Sequence, residues 1–271
     1  MTKALIARTV TGNPITIDIS KNRSYRGIIQ GISGAGKSEL LTTFTCSLAK
    51  CDYKDIICFD DKLISMIELS PRIFIYDKQV EFNSILASLV GELKRRLTFL
   101  KSCGKKELLP SDGYNHIDIL IEEASSFLSP ADETITNTML TERLRLLCTL
   151  AQLGRCCMIS LIVATQVASA KNIDTSLRNL LVDVKLGLRS GSQESTKFLT
   201  GDRYMEAPME TLPNVAGLMY AMTNDESTGN HYIKCRAIYT PSDVVERIAQ
   251  ETAHYKKPLT FLDADSDDYA F

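Results

Sequence analysis

Apolar residues along this chain gather in two kinds of stretch. Short, nearly unbroken runs occur at Arg26-Gly27-Ile28-Ile29-Gln30, Asp55-Ile56-Ile57-Cys58-Phe59 and Ile117-Asp118-Ile119-Leu120-Ile121, and again over residues 158–165 and 184–188. Runs of that length, bounded by polar and turn residues, predict buried strands. Between them the apolar spacing turns helical. Residues 39–50 form one such stretch; residues 79–101 form another, with Ile85, Leu86, Leu89, Val90, Leu93, Leu97 and Leu100 in register. Residues 131–154 set Leu140, Leu144, Leu147, Leu150 and Leu153 on or near one stripe, and residues 244–253 follow a cap at Thr240-Pro241-Ser242-Asp243. Strands alternating with helices predict an α/β domain with a mostly parallel central sheet flanked by helices.

Antiparallel strands are expected at the periphery. Ala4-Leu5-Ile6-Ala7 and Ile15-Thr16-Ile17-Asp18-Ile19 flank the turn cluster Thr11-Gly12-Asn13-Pro14, and residues 215–222 and 232–238 read as a pair around a polar loop at 224–230. Residues 71–76 are a further strand candidate. The expected division is a hairpin segment over 1–25 packed on the main domain, the main domain over 26–255, and an acidic tail over 256–271 that reads as disordered.

Composition changes the picture mainly by exclusion. The chain has 271 residues, 44% hydrophobic and 24% charged, as an ordinary globular protein does. A net charge of −2 excludes attraction of nucleic acid by the molecule as a whole. Any DNA contact has to come from a local basic patch or from a ring of subunits. The cluster Lys94-Arg95-Arg96 reads as a solvated or salt-bridging face before it reads as such a patch. The eight cysteines contain no C-x-x-C pair, which points to reduced, buried thiols and a cytoplasmic location and gives a zinc site little support. Cys156 and Cys157, placed on a strand, would face opposite ways. No apolar run approaches the roughly 20 residues needed to cross a bilayer, so direct membrane insertion is not expected.

The chemistry concentrates at Gly31-Ile32-Ser33-Gly34-Ala35-Gly36-Lys37-Ser38, followed by Glu39, which fits G-x-x-x-x-G-K-[ST] without a mismatch. Glycines let successive backbone N–H groups turn inward on a phosphate. Lys37 supplies a charge for the β- and γ-phosphate oxygens of ATP, and the Ser38 hydroxyl is a hard ligand suited to Mg²⁺. A strand before the loop and a helix after it put that helix's N-terminus at the phosphates.

The apolar strand at 117–121 ends in Glu122-Glu123. Beside a phosphate loop, the first carboxylate orients Mg²⁺-bound water and the second polarises the attacking water. Glu122 stands where Asp is usual, which bears on the hydrolysis rate. An acidic strand-to-helix cap is the other reading of this pair, and Asp118 is a fallback metal residue that lies early on the strand. Gln166, at the end of the 158–165 strand, is placed to hydrogen-bond γ-phosphate or lytic water. The polar stretch from Arg189 to Lys197 suits either sequence-blind DNA phosphate contacts or an ordinary turn and helix cap.

In this order and spacing, the motifs resemble the FtsK/SpoIIIE branch of the FtsK–HerA translocases, including short forms from conjugative elements and plasmids of Gram-positive bacteria. The likeness runs over roughly residues 15–250. Besides the phosphate loop it rests on Cys58-Phe59-Asp60-Asp61-Lys62, Gly91-Glu92-Leu93-Lys94-Arg95-Arg96, the acidic strand ending at Glu123, Leu161 to Gln166, and Asp243-Val244-Val245-Glu246-Arg247-Ile248. It implies a RecA-like P-loop ATPase that assembles as a hexamer around double-stranded DNA. Lys37, Glu123 and Gln166 would be catalytic, with a trans-acting arginine among Arg143, Arg145, Arg155, Arg178 and Arg189. The family's membrane-spanning region and winged-helix domain have no counterpart in these residues. The expected role is therefore DNA transfer of a mobile element, with a relaxase or membrane transfer complex as partner. A viral packaging ATPase at a capsid portal, or an ATP-binding switch that hydrolyses little, are the alternatives.

Overall fold

The computed structural model describes residues 2–63, 66–129, 133–166 and 173–262. Ten strands make one mixed sheet: β1 (Lys3–Thr9), β2 (Pro14–Asp18), β3 (Arg26–Gln30), β4 (Lys54–Phe59), β5 (Phe74–Tyr76), β6 (His116–Ile121), β7 (Ile159–Thr165), β8 (Val184–Leu188), β9 (Leu218–Met222) and β10 (Ile233–Ala237). Their order is β2-β1-β10-β9-β8-β3-β7-β6-β4-β5. The six strands from β8 to β5 run parallel, and β9, β10, β1 and β2 extend the sheet antiparallel. The expected mostly parallel sheet with antiparallel periphery is what forms.

The helices are α1 (Lys37–Ala49), α2 (Phe82–Ser102), α3 (Ala124–Phe127), α4 (Asn137–Leu153), α5 (Thr175–Leu180), α6 (Gln193–Thr200) and α7 (Ser242–Thr252). Successive side chains of a strand face opposite ways, so each central strand feeds two cores. Ile57, Phe59, Ile119, Leu161 and Val163 pack with α2 and α4; Ile56, Cys58, Leu120, Ile162 and Ala164 pack with α1 and α7. Every residue of β4, β6 and β7 is buried, which explains why their sequences are apolar without alternation.

Local chemistry moved several boundaries. The helix expected from 79 opens with a 3-10 turn, Gln79–Glu81, before α2. The helix expected from 131 starts at Asn137, where the Thr136 hydroxyl accepts the Met139 N–H at 3.2 Å. Cys156 and Cys157 lie in the 3-10 turn Gly154–Cys157 and not on a strand, so their sulfurs approach to 3.8 Å as free thiols. The N-terminal hairpin joins the sheet through pairing of β1 with β10. Its outer edge is covered by the polar loop before β10: Thr16 N–H donates to Ser227 Oγ (3.2 Å) and Asp18 N–H to Asn224 Oδ1 (3.0 Å). Of the acidic tail expected over 256–271, residues 263–271 lie outside the described residues, while Leu259 is buried against the α2 and α4 core.

At the N-terminal edge of the parallel strands sits a buried polar network. Lys54 Nζ pairs with Asp118 Oδ2 at 2.8 Å, and Tyr25 donates its hydroxyl to Asp118 Oδ1. His116 holds Ser160 Oγ at 2.8 Å through Nε2 and the Lys21 carbonyl at 2.8 Å through Nδ1. Burial, helped by the Lys54 charge, pushes the His116 imidazole down to about 3, so it is neutral there.

Candidate nucleotide-binding and hydrolysis site

The site lies at the opposite, C-terminal edge of the sheet, where open α/β sheets bind their ligands. The phosphate loop hangs from the ends of two neighbouring strands. Gly31 N–H donates to the Thr165 carbonyl of β7 at 3.1 Å, and Ile32 N–H to the Arg189 carbonyl after β8 at 3.0 Å. A third tether closes over the top, where Gly217 N–H donates to the Ala35 carbonyl at 2.8 Å. Gly36 takes φ +93°, and a Cβ there would stand 3.0 Å from the Gly217 nitrogen. Glycine is needed at 36 for both reasons. Gly36 also starts α1 without any side-chain cap, which leaves the first N–H groups of a 13-residue helix to an anion.

Four side chains converge beneath the loop. Lys37 Nζ donates to the Glu122 carbonyl at 2.9 Å and lies 3.4 Å from Glu122 Oε1 and 3.6 Å from Glu123 Oε2. Ser38 Oγ donates to Glu122 Oε1 at 2.9 Å. Lys37, Glu122 and Glu123 are each buried. The longer arm of Glu122 thus reaches the hydroxyl it has to work beside. Residues 32–34 and 36–39, with Gln166 and Ala216, line a cleft of about 330 Å³.

Glu123 takes the capping role that its sequence left open. Its carboxylate caps α3, accepting from Ser125 N–H (3.2 Å) and Ser125 Oγ (2.6 Å). It also accepts the Gln166 N–H at 3.1 Å, which ties it to the end of β7. Gln166 therefore meets Glu123 through its backbone, and it lines the cleft.

The donor set fits Mg²⁺. Among the described residues no group of three or more His, Cys, Asp or Glu side chains would hold a metal alone. Mg²⁺ keeps several waters and takes one or two protein oxygens beside substrate phosphates. Ser38 Oγ and Glu122 Oε1 are such a pair.

Two candidate site residues are ruled out by the geometry. Asp118 cannot serve as a metal residue here, because it is fully buried at the other edge of the sheet and neutralised by Lys54. Arg143 cannot reach a neighbouring subunit. It is fully buried, with Nε on Asn83 Oδ1 (3.0 Å) and Nη2 on the Gln79 carbonyl (2.9 Å), and burial draws it down to about 10. Arg95 and Arg96 are salt-bridging as expected, at 2.6 Å and 2.7 Å from Glu92. Ser192, within the polar stretch 189–197, caps α6 by accepting the Ser195 N–H at 3.2 Å. The wall at Ala216-Gly217 was missed, since a strand was expected from 215; the glycine was its signal of close backbone approach.

No protein-family model and no curated protein matches the chain. Solved structures do. The conjugation coupling protein TcpA of pCW3, in its monomer form with ATPγS, matches at TM-score 0.76 and 21% identity over 91% of this chain and 70% of that one. The chain has a RecA-like P-loop fold. The same RecA-like core appears in EssC (ATPases 2 and 3) from Geobacillus thermodenitrificans, at TM-score 0.71 and 14% identity over 98% of this chain and 50% of that one. The cytoplasmic domain of the type VII secretion ATPase EccC of Thermomonospora curvata matches at 0.69 and 21% over 93% of this chain and 31% of its own. This RecA-like chain thus spans half or less of the secretion ATPases. No helix among the described residues is long and apolar enough to cross a membrane.

Proposed function

We propose that this chain is an ATP hydrolase that works as a motor on double-stranded DNA in the transfer of a mobile element. The observation that carries the ATPase reading is the convergence of Lys37, Ser38, Glu122 and Glu123 beneath a phosphate loop at the sheet's C-terminal edge. Lys37 leaves the Glu122 carbonyl for the β- and γ-phosphate oxygens. Ser38 and Glu122 would hold Mg²⁺, which neutralises charge that develops on those oxygens. Glu123, held by Ser125 and by the Gln166 N–H, accepts the proton of the attacking water. Gln166 reports the state of the γ-phosphate, because its backbone is already bonded to the base.

DNA as the substrate is supported by the likeness to a conjugation coupling protein. On this reading the chain forms a ring, a hexamer, with a neighbouring subunit supplying Arg145, Arg155, Arg178 or Arg189 to the phosphates, and a relaxase or membrane transfer complex delivers the DNA. A second reading, a polypeptide substrate, is favoured by the likeness to type VII secretion ATPases, one of them solved with a signal sequence peptide. Packaging of viral DNA is favoured more weakly, by a genome packaging NTPase of Sulfolobus turreted icosahedral virus 2 at TM-score 0.50.

Steady-state ATP hydrolysis, with and without long duplex DNA, tests the proposal. Turnover raised several-fold by duplex DNA and abolished by Lys37→Ala is the expected result. Turnover indifferent to DNA would overturn the DNA part, and tight ATP binding without turnover would make the protein a switch.

A further inference from the structure

Glu123 stands at the N-cap of α3, a helix only four residues long. So short a helix has little stability of its own, and its neighbours set its position. Phe127 stacks on Phe82 with ring centroids 5.1 Å apart and meets Phe59 edge-on at 5.3 Å. Arg143 of α4 donates Nη1 to the Phe127 carbonyl at 2.5 Å and Nη2 to the Gln79 carbonyl at 2.9 Å. The remaining hold comes from Asp61, two residues past the end of β4. Ser126 Oγ donates to Asp61 Oδ1 at 3.2 Å. Gln79 Nε2 donates to Asp61 Oδ2 at 3.0 Å and to the Ser126 carbonyl at 3.1 Å. Its neighbour Asp60 shapes the turn itself, with Oδ1 accepting the N–H groups of Lys62 and Leu63 at 3.2 and 3.1 Å, while Asp61 reaches across to α3. The Ser126 hydroxyl also donates to the Glu123 carbonyl at 3.1 Å. One side chain thus joins Asp61 to the backbone of the residue whose carboxylate meets Lys37 and the Gln166 N–H.

Resting on the reading of Glu123 as the base, we propose that Asp61 is a positioning residue for ATP hydrolysis: through Ser126 and Gln79 it fixes α3, and α3 sets where the Glu123 carboxylate stands. Asp61 is partly buried and does not itself line the phosphate cleft, so it acts through Glu123 and not on the nucleotide. A carboxylate suits the place because it accepts from two donors at once, one on each oxygen. An amide there would turn an NH₂ group against one of them. A base displaced by a fraction of an ångström leaves nucleotide binding intact but spoils its alignment with the attacking water.

The test compares Asp61→Ala, Asp61→Asn and Ser126→Ala, each alone and combined with Glu123→Gln. Single-turnover ATP hydrolysis and equilibrium binding of the β,γ-methylene analogue of ATP are the two readouts. Asp61→Ala is expected to slow hydrolysis by a factor on the order of 10 to 10², as misplacement of a reacting group does, with analogue affinity unchanged. Asp61→Asn, which keeps one acceptor, should lose less, and Ser126→Ala should reproduce the loss by cutting the same hydrogen bond from its other end. Combined with Glu123→Gln, none of the three should slow the residual hydrolysis further, because a residue that acts through Glu123 then has nothing left to position. Wild-type hydrolysis in Asp61→Ala overturns the proposal. Further slowing in the Glu123→Gln background also overturns it, as does a loss of analogue affinity that matches the loss of rate, since Asp61 would then support the loop or the fold at large. Normal hydrolysis by Glu123→Gln alone overturns instead the reading of Glu123 on which the proposal rests.

Discussion

Glu123 is held from two directions, by Ser125 at the start of α3 and by the Gln166 N–H at the end of β7. Replacing it by Gln keeps a carbonyl oxygen for these donors but removes the negative charge that accepts a proton from water. Glu123→Gln is therefore expected to fold and bind ATP while its turnover falls by a factor on the order of 10² or more. Single-turnover hydrolysis alongside nucleotide binding checks this; normal turnover would make Glu123 a cap and nothing else. Glu122 accepts the Ser38 hydroxyl, and on the proposed reading it serves the metal ion and not the water. Glu122→Gln should raise the Mg²⁺ concentration needed for half-maximal turnover, and a Mg²⁺ titration of the rate reads it. The meeting of these residues was legible in the sequence because it depends on order along the chain: a loop, then a carboxylate pair, then a polar residue, each at a strand's end. Arg143 was not legible. An arginine in a helical pattern does not say whether it will meet solvent, and only the packing of α2, α4 and the Phe127 carbonyl shows that it is fully enclosed.

The parallel strands are fastened to one another at the edge away from the site. Lys54 of β4 and Asp118 of β6 form a fully buried pair, Tyr25 shares the carboxylate, and His116 bonds Ser160 of β7. A sequence shows Lys54 and Asp118 only as charged positions in apolar runs. Their meeting needs the register Ile56↔Asp118 and Lys54↔His116, which is fixed by pairing across the sheet and not by neighbours in the chain. Removing one partner strands the other charge in the core. Asp118→Asn or Lys54→Met alone should therefore cost about 3–5 kcal/mol, and the double change to apolar residues should recover much of that. Denaturant midpoints of the three variants measure it. His116 adds a pH dependence. Its ordinary value of 6.5 falls to about 3 in the folded chain, so the unfolded chain binds the proton first. Its contribution to stability is complete above pH 6.5 and is lost progressively as pH falls toward 3, by up to about 1.4 kcal/mol per pH unit. Urea midpoints at pH 7.5 and 5 should differ in the wild type, and the difference should shrink in His116→Asn.

A chain with a net charge of −2 has no long-range hold on DNA, so the proposed DNA binding would depend on where a few cations stand and how often they repeat. A ring answers both needs, because each subunit offers the same one or two weak contacts and the duplex meets all of them at once. Weak contacts also suit a motor that has to release its track in each cycle. The segment from Arg189 to Lys197 is the candidate for those contacts. The structure ties this segment to the phosphate loop and the strand before it, since the Arg189 carbonyl holds the Ile32 N–H and Ser190 Oγ lies 3.4 Å from Gln30 Nε2. A shift of the loop on hydrolysis would be felt directly at Arg189. Lys197 is exposed at the far end of the same segment, beside the Tyr204 ring at 5.3 Å. The expected behaviour is poor duplex binding by the monomer, and binding by ATP-loaded oligomers that falls steeply with salt and ignores sequence. Each phosphate contact contributes about 0.9 to the slope of log affinity against log salt. Replacing Arg189 and Lys197 together by Ala should flatten that slope and remove the stimulation of hydrolysis by DNA. An unchanged slope would move the DNA surface to another segment. A flattened slope with hydrolysis lost even without DNA would instead identify Arg189 as the residue that reaches the neighbouring subunit's phosphates.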